Sequence, residues 1–378
     1  MRLSVSPPRP PIPGTDLERP HCDELGKLDH SGLVSWLRET DPRRLERLFA
    51  AADDLRRARV GDSVELRGLI EISNHCVRRC AYCGLRAPNH AVQRYRLNDD
   101  EIVATAKLAA DLGFGTVVLQ SGEDPGLTSG RLAKLVQRLR VETALALTLS
   151  LGERSEAELE VLREAGADRY LLRFETSNPE LYARIHPPLG PGLPDRFDLL
   201  EALRRLGYEV GSGVMVGIPG QTWGDLACDL ERFRELELDM IGVGPFIAHP
   251  DTPLGRVSET GPEQVPADEE VTYRVLALSR LLRPDANLPV TTALAISGGE
   301  DARGLGLQRG GNVLMPNLTP AEVRAHYEIY PDKASEPIPV GAAHQELMRL
   351  LSSIGRYAGS GPGTSPSYRV RMEREEVS

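Results

Sequence analysis

A chain of 378 residues allows one large domain or two domains of average size. Hydrophobic residues make up 40% and charged residues 26%, a composition typical of globular proteins rather than of disordered or disulfide-dense secreted chains. The net charge of -10 argues against nucleic-acid binding, which needs clustered Lys and Arg, and favours a small-molecule or protein partner. No stretch has the apolar length that a membrane span requires, so we expect no membrane partner.

The two ends of the chain differ in composition from the middle. Residues 1–28 are rich in proline and are predicted to be a disordered leader. Residues 29–60 are predicted to form two helices that pack beside the main domain. Residues 336–378 are predicted to form a last helix and a polar tail that is frayed after Gly359.

Residues 61–335 repeat one pattern eight times, in which a short β-branched run is followed by a loop and an amphipathic helix. The predicted strands are Val64–Ile72, Thr116–Leu119, Ala144–Ser150, Arg169–Phe174, Glu209–Val216, Met240–Val243, Leu288–Thr292 and Val313–Met315. The predicted helices are Asp99–Leu112, Ser129–Arg140, Ser155–Ala165, Asp195–Leu206, Thr222–Leu236, Asp268–Leu282, Asp301–Gln308 and Pro320–Tyr330. Capping signals support several of them, such as Asn98 with Glu101.

Eight alternating units in roughly 270 residues predict an α/β fold, a (β/α)8 TIM barrel with an N-terminal helical extension. The alternative is a doubly wound open sheet. That fold would need a glycine-rich phosphate-binding turn after the first strand, where this chain has Ser73-Asn74-His75-Cys76.

Three of the five cysteines fall close together, in the sequence Cys76-Val-Arg-Arg-Cys80-Ala-Tyr-Cys83 directly after the first strand. This crowding does not suit a disulfide framework and indicates a reduced, cytoplasmic thiol cluster. In a barrel the same loop opens at the C-terminal face, where active sites lie. Three thiolates can hold three corners of a cubane iron–sulfur cluster and leave the fourth iron open for chemistry.

A structural zinc site is an alternative use of the three thiols. It would need a fourth ligand, which Cys22, Cys228, His75 or His90 could supply, but the chain has no second paired-ligand motif. We interpret Cys22 as part of the leader and Cys228, with Leu226 and Leu230 nearby, as a core residue.

The spacing CxxxCxxC with Tyr82 before the last cysteine resembles the signature of radical S-adenosylmethionine (SAM) enzymes. Further stretches narrow this resemblance to the HydE family of [FeFe]-hydrogenase maturases, with biotin synthase and methylornithine synthase as similar relatives. These stretches include CAYCGLRAPN at 80–89, VVLQSGEDP at 117–125, AGADRYLLRFET at 165–176, GVMVGIPGQT at 213–222, DMIGVGPFIAHPDTPL at 239–254 and NVLMPNLTP at 312–320. The resemblance runs through the whole predicted barrel. It implies a [4Fe-4S] cluster on Cys76, Cys80 and Cys83, whose open iron binds SAM.

Polar residues at the ends of predicted strands are the remaining site candidates, because strand C-terminal ends meet at one face of a barrel. The resemblance implies that Ser150 and Glu175 hold SAM and that Arg196 pairs with its carboxylate. A structural Arg–Glu pair is the alternative for Arg196 and Glu175. The full set of cofactor candidates is Tyr82, Ser121, Glu123, Ser150, Glu175 and Arg196, and the substrate candidates are Gln120, Thr148, Arg173, Thr291, Thr292 and Tyr330.

The resemblance further implies reductive cleavage of SAM to a 5′-deoxyadenosyl radical that attacks the sulfur of an iron-bound cysteine carrying carbonyl and cyanide ligands. Partners would be a ferredoxin or flavodoxin electron donor and other hydrogenase maturases. Many family members carry a second cysteine trio near the C-terminus, but no cysteine follows Cys228 here. A radical SAM mutase similar to methylornithine synthase, a biotin synthase-like enzyme and a non-catalytic iron–sulfur scaffold remain alternatives.

Overall fold

The computed structural model of the chain describes residues 25–190, 195–257, 261–331, 333 and 339–377. Most of the predicted leader, including Cys22, lies outside these residues. The strands are β1 (Ser63–Ser73), β2 (Thr116–Ser121), β3 (Ala146–Ser150), β4 (Arg169–Leu171), β5 (Glu209–Val216), β6 (Met240–Pro245), β7 (Val313–Leu314) and β8 (Tyr357–Ala358). The helices are α1 (His30–Leu37), α2 (Pro42–Val60), α3 (Asp99–Asp111), α4 (Ser129–Glu142), α5 (Glu156–Glu164), α6 (Pro179–Ile185), α7 (Arg196–Arg205), α8 (Trp223–Glu235), α9 (Glu269–Leu282), α10 (Thr292–Ser297), α11 (Ala302–Gln308), α12 (Ala321–Arg324), α13 (Val340–Ser353) and α14 (Pro366–Val377).

The sheet is parallel and curls into a barrel with the strand order β6-β5-β4-β3-β2-β1-β7. Strands that are consecutive in the chain are neighbours from β1 to β6, and the order lacks the reversal of a doubly wound sheet. The predicted α/β barrel is therefore confirmed. Its (β/α) units place the C-terminal ends of the strands at one face.

The seventh predicted strand, Leu288–Thr292, does not form a continuous ladder. Instead, isolated β-bridges join Asn287 and Val290 to β6 and Pro289 to β7. Pro289 has no N–H to donate, which interrupts the ladder, and Thr292 already begins α10. The prediction is correct about the position of this segment between β6 and β7 and wrong about its strand geometry.

The barrel wall has an apolar outer side and a partly polar inner side. Ile70 and Ile72 of β1 are fully buried in the apolar layer between sheet and helices. Glu71, between them, faces the other way and accepts hydrogen bonds from Thr319 and Asn317. This alternation leaves the inside of the barrel available for polar side chains.

The N-terminal helices are confirmed as an extension of the barrel. Asp29 and Asp41 cap α1 and α2 by accepting hydrogen bonds from backbone N–H groups, and Pro42 occupies the first turn of α2. The helix α1 packs against α8, and α2 packs against α9. No helix among the described residues is long and apolar enough to cross a bilayer.

The helix predicted over Pro320–Tyr330 is confined to the single turn α12. The short helices α6 and α10 are not predicted from the sequence, because segments of seven and six residues show little helical periodicity. By contrast, the capping box of Asn98 and Glu101 is confirmed at the start of α3.

The tail after Gly359, predicted to be frayed, is ordered and closes the N-terminal end of the barrel. The carbonyl of Pro362 accepts hydrogen bonds from Arg169 and Thr116, and the carbonyl of Gly363 accepts one from Asn287. The helix α14 follows. The polar Gly/Pro-rich sequence looks unstructured because its partners are distant in the chain and lie inside the barrel.

Cys228 is exposed, and the prediction that it belongs to the core is wrong. Leu226 and Leu230 are fully buried on one face of α8. A residue two positions from each of them points to the opposite face of a helix. The Cys228 Sγ atom lies 3.9 Å from Nδ1 of His30, on the neighbouring helix α1.

Candidate active site

The three clustered cysteines line one cavity at the C-terminal face of the barrel. Cys80 is buried, whereas Cys76 and Cys83 are partly exposed, and none of the three forms a disulfide. The cavity encloses about 230 Å³. Its wall is formed by the loops after β1, β2 and β3, by residues at or just after the ends of β4 to β6, by the segment 327–330, and by His186, Arg196 and Ala293.

The cysteine loop is held tightly against the loop after β2. The Val77 N–H donates to the carbonyl of Glu123 over 3.0 Å. A Cβ atom on Gly122 would come within 2.8 Å of Cys76 Cβ and would also collide with the His75 carbonyl. Only glycine permits this approach, so the sequence at 122 helps to fix the position of Cys76.

In the absence of a bound cation, the environment of the three cysteines disfavours the ionised thiolate. Burial raises the pKa of all three thiols, that of Cys83 to about 12. The charges of Cys83 and Cys76 raise the pKa of Cys80 further, because like charges lie close together. A metal bound among the three sulfurs removes this penalty, since a coordinating thiol is deprotonated outright. The donor set therefore fits a thiolate-ligated cluster.

Most of the predicted site residues meet in this cavity. The lining residues include Tyr82, Gln120, Ser121, Glu123, Ser150, Arg173, Glu175, Arg196 and Tyr330. They come from six separate segments of the chain, which the parallel barrel brings to one face.

Three predicted substrate residues do not line the cavity. Thr148 is buried in β3, and its hydroxyl has no hydrogen-bond partner among the described residues. Thr291 caps α10 and also donates to the carbonyl of Val243 over 2.9 Å. Thr292 is the first residue of that helix. Thr291 therefore has a structural role, as the cap of α10, which its position in the sequence does not indicate.

Glu175 has an unusual backbone. Its φ angle of 64° lies in the left-handed region, which a residue with a Cβ adopts at a cost. Its N–H and carbonyl bond to Gly213 and Met215 of β5, which holds the strained conformation in place. Its Oε2 atom lies 3.2 Å from Nη2 of Arg173 without a hydrogen bond from any described residue. A buried carboxylate oxygen of a cavity-lining residue thus lacks a hydrogen-bond donor among the described residues and has only the charge of Arg173 beside it.

A network that the sequence did not predict lies beside Cys80. His186 places Nδ1 3.0 Å from Cys80 Sγ and Nε2 3.2 Å from Oε1 of Glu153. The same Oε1 accepts a 2.9 Å hydrogen bond from Nε of Arg196, and Arg78 pairs with the other oxygen of Glu153. His186 is the C-cap residue of α6. The sequence signal for this helix is Asn178-Pro179, an N-cap residue followed by a proline at the first helical position.

The surroundings of Glu153 and His186 shift the pKa values of both side chains. Burial opposes ionisation of Glu153, but the hydrogen bond from His186 and the charges of Arg196 and Arg78 lower its pKa to about 2. Burial of His186 lowers its pKa to about 4 and outweighs the attraction of Glu153. Glu153 is therefore a carboxylate at neutral pH, and His186 is uncharged.

Comparison with known proteins agrees with this geometry. The family profile described as "Radical SAM superfamily" matches residues 70–233. The "[FeFe] hydrogenase maturase subunit HydE" of Thermotoga maritima is 43% identical over 316 residues, covering 83% of this chain and 87% of that protein. The chain belongs to the HydE family of radical SAM enzymes. As a member of that family it uses a [4Fe-4S] cluster and SAM.

Two further comparisons place this HydE-family chain among its wider relatives. A 3-methylornithine synthase of Methanosarcina acetivorans is 28% identical over 80% of this chain and 84% of that protein. The crystal structure of a methylornithine synthase superposes with a TM-score of 0.76 at 25% identity, over 94% of this chain and 98% of the other. The barrel is thus shared with methylornithine synthases, so the fold alone does not identify the substrate.

Proposed function

We propose that this chain is a HydE-type maturase of [FeFe]-hydrogenase, with Cys76, Cys80 and Cys83 as the cluster ligands. The observation that carries the proposal is the 43% identity to HydE over 316 residues, which make up 83% of this chain. When bound, the cluster supplies the electron that cleaves SAM to a 5′-deoxyadenosyl radical.

The cavity supports a division of roles among its side chains. We assign Ser150 and Glu175 to SAM, because Ser150 ends β3 and Glu175 follows β4 on the cavity wall, and Oε2 of Glu175 accepts no hydrogen bond from a described residue. We assign Arg196 to the SAM carboxylate, since a guanidinium binds a carboxylate through two parallel hydrogen bonds. In the structure Arg196 is paired with Glu153, so binding SAM would require it to share or exchange this partner.

The other lining residues fall into two groups. Tyr82 and Glu123 belong to the loops nearest the thiols and Ser121 ends β2, and all three are assigned to the cofactors. Gln120, Arg173 and Tyr330 are assigned to the substrate, for which the family resemblance implies an iron-bound cysteine with carbonyl and cyanide ligands. The partners proposed with it are a ferredoxin or flavodoxin and the other maturases, in a reducing cytoplasm where the free thiols persist.

The first test addresses the radical generator. Full-length protein reconstituted anaerobically should bind about four irons per chain and cleave SAM when dithionite is added. Cys80→Ala should abolish cleavage, because one cluster ligand is lost. Cys228→Ala, which changes an exposed cysteine on α8, should cleave SAM like the wild type. Cleavage retained by Cys80→Ala would refute the ligand assignment.

The second test addresses the substrate. The chain should restore activity to an [FeFe]-hydrogenase that is matured in vitro with the partner maturases and without another HydE. Cys80→Ala should fail to restore it, and Cys228→Ala should succeed. SAM cleavage without hydrogenase activation would refute the maturase assignment and favour another substrate, such as that of a methylornithine synthase-like mutase.

A further inference from the structure

Among the described residues, His186 is the side chain with a polar atom within hydrogen-bond distance of a cluster thiol. It ends α6, and only 3% of its surface is exposed. The Ala81 N–H donates to the carbonyl of Ile185 over 2.7 Å, which ties the cysteine loop to the residue before His186. The 3.0 Å contact between Nδ1 and Cys80 Sγ is therefore fixed by the backbone on both sides.

The neighbours of the imidazole decide which nitrogen carries the proton once Cys80 binds iron. Nη2 of Arg196 lies 3.0 Å from Nε2, and a guanidinium can only donate. Oε1 of Glu153, which can only accept, lies 3.2 Å from the same Nε2, so the two neighbours favour opposite tautomers. With the hydrogen on Nδ1, the ring accepts from Arg196 and turns a donor toward Cys80, while Glu153 keeps its hydrogen bonds from Arg196 and Arg78. With the hydrogen on Nε2, the ring would bond to Glu153 and turn a lone pair toward a thiolate, so iron binding at Cys80 favours the first arrangement. A metal-bound thiolate has no proton to give, so the contact with Cys80 is a hydrogen bond only when Nδ1–H is the donor.

The other two cluster thiols have a different environment. Cys76 lies near the backbone N–H of Arg78, and Cys83 lies near that of Leu85. Among the described residues, a side-chain donor reaches a cluster sulfur at Cys80 alone. This is the contact that a substitution can remove without altering the cysteine loop.

We propose that His186 donates a hydrogen bond to Cys80 Sγ in the loaded enzyme and thereby raises the reduction potential of the cluster, an inference that rests on the proposed cluster assignment. Reduction adds negative charge to the cluster and its sulfur ligands. A hydrogen bond to one of these sulfurs stabilises the reduced state, and such bonds are among the factors that set iron–sulfur potentials. Arg196 orients the imidazole through Nε2, as a hydrogen-bond partner orients a metal-bound histidine, and Glu153 holds the guanidinium in place. His186 is thus a positioning residue for electron transfer into the site.

The test is a potentiometric titration of full-length, anaerobically reconstituted protein, with the reduced cluster followed by electron paramagnetic resonance. His186→Leu removes the donor. His186→Gln keeps an amide but places its nitrogen near the Nε2 position, whereas His186→Asn places one near the Nδ1 position. His90→Leu, which changes an exposed histidine in the loop after Cys83, is the control.

We expect the Leu and Gln variants to have lower midpoint potentials than the wild type. At the wild-type midpoint their ratio of reduced to oxidised cluster should fall about tenfold, which corresponds to about 59 mV for a one-electron couple. His186→Asn and His90→Leu should match the wild type. If His186→Leu does not assemble a cluster, the comparison of Gln with Asn decides the question.

Two outcomes are distinguishable. Equal midpoint potentials in wild type, His186→Gln and His186→Asn, each with about four irons per chain, would overturn the role of His186 and leave the proposed function intact. Failure of the wild type itself to bind four irons would instead overturn the cluster assignment.

Discussion

At the scale of single residues, Glu175 joins backbone strain to a proposed ligand role. Its left-handed φ of 64° puts Cβ in an unfavourable position, yet the residue lines the cavity, and its buried Oε2 accepts no hydrogen bond from a described residue. A residue selected for stability at this position would be glycine. The strained carboxylate is consistent with a side chain retained for binding.

The left-handed backbone at Glu175 should reverse the usual order of stability of a Gly and an Ala variant. At ordinary positions Gly is less stable than Ala by about 0.5–1 kcal/mol, but at a left-handed position the missing Cβ should make Glu175→Gly more stable than Glu175→Ala by about 1 kcal/mol. Both variants lose the carboxylate and should bind SAM at least tenfold more weakly. Denaturant unfolding and equilibrium SAM binding measure the two effects.

Glu237 is a matched control for Glu175, because it also has a left-handed φ, of 47°, and lies exposed after α8. Glu237→Gly should likewise be more stable than Glu237→Ala, while both keep wild-type SAM affinity. If the Glu175 variants also bind SAM normally, the carboxylate has no part in holding the cofactor.

At the scale of secondary structure elements, the fold follows the sequence most closely where the signals are local. The capping box before α3 and the β-branched run of β5 depend on residues that are neighbours in the chain, and both are confirmed. The segment 288–292 was mistaken for a full strand because its β-branched residues outweighed Pro289. Its actual geometry depends on pairing with β6 and β7, which no local pattern encodes.

In the candidate site too, residues with a local sequence signal could be predicted, and a residue placed by distant contacts could not. The cysteines, Glu123, Ser150 and Glu175 could be predicted because each follows a recognisable strand and a parallel barrel gathers strand ends at one face. His186 was missed because it follows a seven-residue helix that lacks periodicity. Its contact with Cys80 joins residues 106 positions apart.

Variants of Thr291 can show whether this residue at the start of α10 has a structural role or binds substrate. Because its hydroxyl caps the helix and bonds to Val243, Thr291→Ala should lower the free energy of unfolding by about 1 kcal/mol, and Thr291→Ser should largely retain stability. Thr292→Ala should stay within about 0.5 kcal/mol of the wild type, since Thr292 makes no side-chain hydrogen bond among the described residues. Unfolding of all three variants by denaturant would check this. Wild-type stability of Thr291→Ala would contradict the capping role and restore Thr291 as a substrate candidate.

At the scale of the whole molecule, the barrel has a catalytic end and a sealed end. The sealed end is built around Arg169, which is fully buried and pairs with Glu209 over 2.5 Å. Two of its remaining hydrogen bonds go to Pro362 and Thr364 of the tail. The Ser365 N–H completes the closure by donating to Glu209. Residues 362–365 thus satisfy buried polar groups at the start of β4 and β5.

Deleting residues 360–378 should therefore destabilise the barrel by at least about 3 kcal/mol, because it leaves Arg169, Glu209 and Asn287 without their tail partners. Deleting only 373–378 keeps these partners and also the ion pair between Arg371 and Asp239, so this shorter deletion should cost much less. The thiols lie at the opposite end of the barrel, so molecules of the longer deletion that remain folded should still assemble the cluster and cleave SAM. Denaturant unfolding, iron content and SAM cleavage together test the separation of the two ends. Equal stability of the two deletions would mean that the tail only rests on the barrel, whereas loss of cleavage by folded protein would mean that the sealed end controls the catalytic one.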